Sequence, residues 1–144
     1  VPHYEGVPGR GSIVELKGIS IVDDTYNASI DAVLKSIDNL ARVSGEKYAL
    51  IGEVMEIEGH EDKVYNEITA KAAEYPDINF IFSGLSYVPY KDKGNYEVVV
   101  SESETKAALE QIKGGIILIK ASRGCHFEQY VSYVAGRFGG QDAL

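Results

Sequence analysis

No tryptophan occurs among the 144 residues, cysteine occurs once, and no glycine-rich phosphate loop can be found along the chain. The single Cys125 excludes an intramolecular disulfide framework and suits a reducing compartment. Neither GxxxxGK followed by Ser or Thr nor a strand-linked GxGxxG is present, so any nucleotide held here must have its phosphates held elsewhere. Positive charge is also scarce. A net charge of −8 and scattered basic residues argue against nucleic acid as a partner, because phosphate binding needs a clustered positive field. The longest apolar run, Ile116-Ile117-Leu118-Ile119, is far too short to span a bilayer, and no signal-peptide pattern opens the sequence. The expected setting is the cytoplasm, with no membrane partner.

What is present is ordinary globular material, 44% hydrophobic and 25% charged. A chain of this length forms one domain and buries about 70% of its unfolded surface. Residues 1–11, with two prolines and three glycines, read as an interdomain linker feeding a domain over 12–144, and the whole as part of a longer polypeptide. Six apolar runs read as strands: Ser12 to Leu16, Ile19 to Val22, Tyr48 to Ile51, Ile78 to Phe82, Tyr96 to Val100 and Ile116 to Ile119. Lys17-Gly18 fits a hairpin turn between the first two. Helical spacing links Ile30, Val33, Leu34, Ile37 and Leu40, then Val64, Ile68, Ala72 and Tyr75, then Ala108, Leu109 and Ile112, then Phe127, Tyr130, Val131 and Val134. Asn27 or Ser29 caps the first helix, and Ser101 to Glu104 has the spacing of a capping box before the third. Apolar strands alternating with amphipathic helices predict an α/β fold: a Rossmann-like three-layer α/β/α domain on a mostly parallel six-stranded sheet with an N-terminal hairpin strand.

In such a sheet the carboxyl ends of the parallel strands converge on one edge, where ligands bind. The segments that follow the strands are Asp23-Asp24-Thr25-Tyr26-Asn27, Gly52-Glu53-Val54-Met55-Glu56, Ser83-Gly84, Ser101 and Lys120-Ala121-Ser122-Arg123-Gly124. Asp24 and Asn27 can accept hydrogen bonds from a ribose or adenine while Tyr26 offers a ring, or the two polar residues simply cap the helix. Asp23 and Asp24 lack a third carboxylate at ligand spacing, so no dedicated metal site is expected. Lys120 and Arg123, with Ser122, sit before the last helix and suit a carboxylate or phosphate, or else form a surface ion pair with Glu128. Cys125 lies near the same helix start, which can lower a thiol pKa, but no base accompanies it. His3, His60 and His126 have no partner at metal-ligand spacing.

Taken in order, these segments resemble the C-terminal domain of the Mur ligase family, ATP-dependent enzymes that build the cell-wall peptide. Pro8-Gly9-Arg10 resembles the family's entry linker, and Asp23-Asp24-Thr25-Tyr26-Asn27-Ala28 its D-D-S-Y-N-A-N-P. Ile51-Gly52-Glu53-Val54-Met55-Glu56-Ile57 is similar to L-G-D-M-x-E-L, and Ile119-Lys120-Ala121-Ser122-Arg123-Gly124 to V-K-G-S-R-G. Departures from the family are Ile30 for proline, Glu53-Val54 for Asp-Met, Ala121 for glycine, and Tyr65 where a histidine is usual. The resemblance is nearest to the member that adds D-alanyl-D-alanine to a UDP-muramoyl tripeptide, with a pseudomurein peptide ligase or another amide ligase of the superfamily as alternatives. It implies an ATP- and Mg²⁺-dependent ligase in which an N-terminal and a central domain lie outside this chain, the central one binding most of the ATP and Mg²⁺. This domain alone would carry no catalytic residue and be inactive. Arg10, Asp24, Tyr26 and Asn27 would contribute to ATP binding, and Lys120, Ser122, Arg123, Phe127 and Glu53 would receive the incoming amino acid or dipeptide. Of another class, a receiver-like signalling domain also has an acid pair and a late lysine, but its acceptor aspartate would fall where Ser83-Gly84 stands. A dinucleotide-binding oxidoreductase would need the missing glycine fingerprint.

Overall fold

The computed structural model describes residues 3–5, 11–26, 28–55 and 57–139. Strand β1 (His3–Glu5) is followed by β2 (Ser12–Leu16), β3 (Ile19–Asp24), helix α1 (Ile30–Ala41), β4 (Lys47–Ile51), α2 (Glu61–Glu74), β5 (Ile78–Ser83), β6 (Glu97–Val99), α3 (Glu102–Leu109), β7 (Gly115–Lys120) and α4 (Glu128–Gly139). The strands form one sheet in the order β1-β2-β3-β7-β4-β5-β6. The pairs β1/β2 and β2/β3 are antiparallel and all others parallel. The mostly parallel, helix-covered sheet is the one expected, with one strand more than the six read from the sequence. That extra strand, β1, lies inside the stretch read as linker. The tyrosine-rich segment after β5 winds into a 3₁₀ helix over Leu85–Tyr90.

Period-two alternation in the strands builds two cores, one on each face. Ile21, Leu50, Ile117 and Ile119 face α3 and α4, where they meet Leu109, Val131 and Val134. Ala49, Ile51, Phe82 and Leu118 face the other way, onto Val33, Ile37 and Ile68 of α1 and α2. Local chemistry fixes the ends of the elements. Ser29, of the two expected caps, accepts from the Ala32 N–H at 3.2 Å. The Ser101–Glu104 capping box forms in both directions. Gly18, at φ +92°, makes the left-handed residue that the β2–β3 hairpin needs.

This topology positions the site. The last strand, β7, inserts between β3 and β4. The chain leaves β3 and β4 towards helices on one face, but leaves β7 towards α4 on the other. Loops that diverge to opposite faces open a crevice at the strand ends, and here it is centred on β7.

Candidate functional site at the carboxyl edge of the sheet

Asp24 and Lys120 end adjacent strands and are paired in register. Lys120 is 2% exposed, and its Nζ lies 2.7 Å from Asp24 Oδ2. Ser36 on α1 donates its hydroxyl to the same oxygen at 3.1 Å. A buried ammonium is tolerated only when a carboxylate and further hydrogen bonds replace its water, and this pair meets that need. The ion pair considered from the sequence, with Glu128, is not formed by Lys120; Glu128 lies 3.5 Å from His126 instead. Asp23 and Asp24, though adjacent, point to opposite faces of the sheet, as alternation requires. Asp23 is buried and accepts from the Thr25 hydroxyl at 2.8 Å. The two acids therefore share no metal-binding side, and among the described residues no group of three His, Cys, Asp or Glu can hold a metal ion.

The loop after β4 is pinned along its length. The Gly52 N–H donates to the Lys120 carbonyl at 2.8 Å, and the Tyr87 hydroxyl donates to the Gly52 carbonyl at 2.7 Å. The Glu53 carbonyl accepts from the Ser122 N–H at 3.1 Å. The Tyr65 hydroxyl accepts from the Val54 N–H and donates to the Val54 carbonyl, at 3.1 and 3.2 Å. The Met55 N–H donates to Ser122 Oγ at 2.7 Å. Gly52 leaves no room for a side chain: a Cβ would stand 2.5 Å from Phe127 Cζ and 2.6 Å from Ala121 Cβ. Phe127 is 5% exposed, packed edge-on against Tyr130 with ring centroids 4.9 Å apart. It backs the loop from inside the core. The Glu53 carboxylate is engaged by both the backbone N–H and the hydroxyl of Ser86.

Above this framework Tyr26, Met55 and Arg123 are exposed. The Arg123 guanidinium lies over the Tyr26 ring, 5.0 Å from its centroid. The turn after β3 and the loop after β7 thus meet at one place, with the Asp24–Lys120 pair beneath them. Arg10 and Asn27 lie outside the described residues. Cys125 is half-buried, and the lowering of its pKa that a helix start can bring is not seen. Half burial pushes it up, with Glu53 adding to the rise, and the sulfhydryl points at the Glu53 carbonyl. Tyr65, Tyr87 and Ser86 were not legible as site residues, because only the fold brings them to the Gly52 loop. The sole sequence signal was Tyr65, a departure at a family histidine. Cavities of about 310 to 710 Å³ lie along α2, β5, β6 and α3, away from the Tyr26–Arg123 contact.

Fold and edge together define a Rossmann-like α/β domain, the fold shared by the Mur ligases it superposes on. No family model matches the chain. Its homologues are more particular. It is 33% identical over 110 residues to a UDP-N-acetylmuramoyl-tripeptide–D-alanyl-D-alanine ligase of Buchnera aphidicola subsp. Baizongia pistaciae, covering 72% of this chain and 24% of that protein. A ligase of the same name from Buchnera aphidicola subsp. Acyrthosiphon pisum is 27% identical over 117 residues, covering 77% of this chain and 26% of the other. A solved MurF ligase from Thermotoga maritima, in complex with ADP, superposes with a TM-score of 0.78 at 27% identity, over 93% of this chain and 32% of that one. A MurF structure from Acinetobacter baumannii, at 20% identity and TM-score 0.81, covers 90% and 30% and shares the fold. The chain thus spans about a quarter to a third of the length of the relatives it matches.

Proposed function

We propose that this chain is the C-terminal domain of an ATP-dependent amide-bond-forming ligase of cell-wall peptide synthesis, and that its carboxyl edge helps to bind ATP and receives the incoming amino acid or dipeptide, D-alanyl-D-alanine being favoured. The observation that carries this reading is the meeting of the Tyr26 turn with the Ser122–Arg123 loop at one edge, the stack at 5.0 Å. In the proposed reaction ATP activates the acceptor carboxylate as an acyl phosphate, which the incoming amine attacks to give the amide. The residues of this chain bind and orient. Tyr26 offers a ring for a nucleobase, and Arg123 a planar cation for the carboxylate of the incoming acid. The buried Ser122 and Phe127 support the loop that carries Arg123, and Glu53 holds the Ser86 segment beside it.

The chemistry of these residues fits a nucleoside and a small acid; no carboxylate cluster among the described residues suits Mg²⁺, and the sequence has no glycine-rich loop for the phosphates. We assign those, and the UDP-muramoyl peptide acceptor, to the N-terminal and central domains expected in a longer chain, with Arg10 approaching the phosphates as the domains close. The proposed setting is the cytoplasm; among the described residues no helix is long and apolar enough to cross a membrane. The isolated chain should neither hydrolyse ATP nor form amide bonds, and should bind ADP weakly. Arg123→Ala should abolish binding of D-alanyl-D-alanine by calorimetry while leaving the fold intact. ATP turnover by the purified chain would refute the assignment. A panel of single amino acids and dipeptides separates D-alanyl-D-alanine addition from the chemistry of a pseudomurein or other amide ligase.

A further inference from the structure

Lys120 occupies a position from which a cation could meet a ligand, yet its ammonium lies beneath the edge rather than on it. To reach a ligand it would have to leave Asp24, stranding a carboxylate that is itself only 19% exposed. Its location serves another purpose. Asp24 and Lys120 face each other across the β3–β7 ladder. Two residues beyond Asp24 comes Tyr26, and two and three beyond Lys120 come Ser122 and Arg123. The Lys120 carbonyl also accepts from Gly52, tying in the third loop. One residue therefore joins the three segments that carry the exposed groups.

We propose that Lys120 is a positioning residue whose ion pair with Asp24 fixes the Tyr26 turn against the Ser122–Arg123 loop, so that a nucleoside on the first and a small carboxylate on the second bind interdependently. This rests on the function proposed above. If each ligand orders the same linked pair of loops, the second to bind finds its half of the site already set, and the effect is reciprocal. Arg123 then remains the cation that touches the acid.

The test uses the 144-residue chain, with NMR titrations of ADP and D-alanyl-D-alanine for the wild type, Lys120→Met, Asp24→Asn and the double variant. In the wild type, saturating dipeptide should tighten ADP about fivefold, and ADP should tighten the dipeptide by the same factor. Each single variant should lose that factor and weaken both ligands, and the double variant should be no worse than either single one. Loss of dipeptide affinity alone in Lys120→Met, with ADP unchanged, would make Lys120 a direct ligand and overturn the inference. So would two ligands that bind independently in the wild type, and in that case the proposed function would stand. A wild-type chain that binds neither ligand would remove the function and the inference together. Should Lys120→Met or Asp24→Asn fail to fold, the double variant, which leaves no buried charge unpaired, decides: an undiminished coupling factor in it would overturn the inference.

Discussion

Asp38 on α1 accepts a hydrogen bond from the Tyr75 hydroxyl, at the end of α2, and lies 2.9 Å from Lys71 Nζ. The Tyr75 hydrogen bond, and then Lys71, hold its carboxyl below the ordinary value of 3.8. A carboxylate depressed in the folded state stabilises the fold above its unfolded pKa and loses that contribution as pH falls through the folded one. Asp38→Asn should therefore lower the thermal midpoint at neutral pH, with the gap to wild type closing below about pH 4. The effect should be small, since the cluster is at the surface; a gap that stays constant down to pH 2.5 would show that the charge is irrelevant. Cys125 gives a second test on the scale of one side chain. With its thiol pKa raised by burial, iodoacetamide at pH 7.5 should modify it more slowly than an unstructured cysteine. Faster labelling would return it to the list of reactive groups.

Among the elements, the Gly52–Met55 loop concentrates what folding adds to the sequence. Gly52→Ala would force a methyl group to within 2.5 Å of Phe127 and 2.6 Å of Ala121, both buried. Relief requires moving the start of α4 or the loop itself, so a loss of about 1–3 kcal/mol in urea unfolding is expected. A neutral substitution would mean that the loop is not held against α4. The elements themselves were legible, because apolar periodicity and capping are local signals: the Ser101–Glu104 box and Ser29 act as their spacing implies. The edge on which the polar loops gather was legible too, since strand direction follows from βαβ connection. The partner of Lys120 was not. A lysine ending the run Ile116 to Ile119 marks a strand end, but its environment depends on β7 inserting beside β3, a pairing across 96 residues. Tyr65 and Tyr87 escaped for the same reason: their hydroxyls reach the loop from α2 and from the 3₁₀ turn, and nothing local distinguishes them from other half-polar aromatics.

On the scale of the molecule, the two cores have no side chain in common, yet neither exists without the sheet between them. Ile117 and Ile119 serve the α3–α4 face while Leu118 serves the α1–α2 face, and β4 is divided likewise between Leu50 and the pair Ala49 and Ile51. Loosening either layer of helices would expose one side of the same central strands to water and free their loops. The parallel ladders, buried on both faces, have no stable half-covered form to fall back on. The domain should therefore unfold as one unit, with near-ultraviolet and far-ultraviolet circular dichroism changing together. Ile37→Ala on α1 and Leu109→Ala on α3, both fully buried, remove packing from opposite faces. Each should cost about 2–5 kcal/mol and shift the one transition without dividing it. Because the two sites pack into separate clusters, their losses should add in the double variant to within about 0.5 kcal/mol. Two separate transitions in either single variant would mean that the helical layers fold independently, and the carboxyl edge could then not be held rigid by a core on both sides.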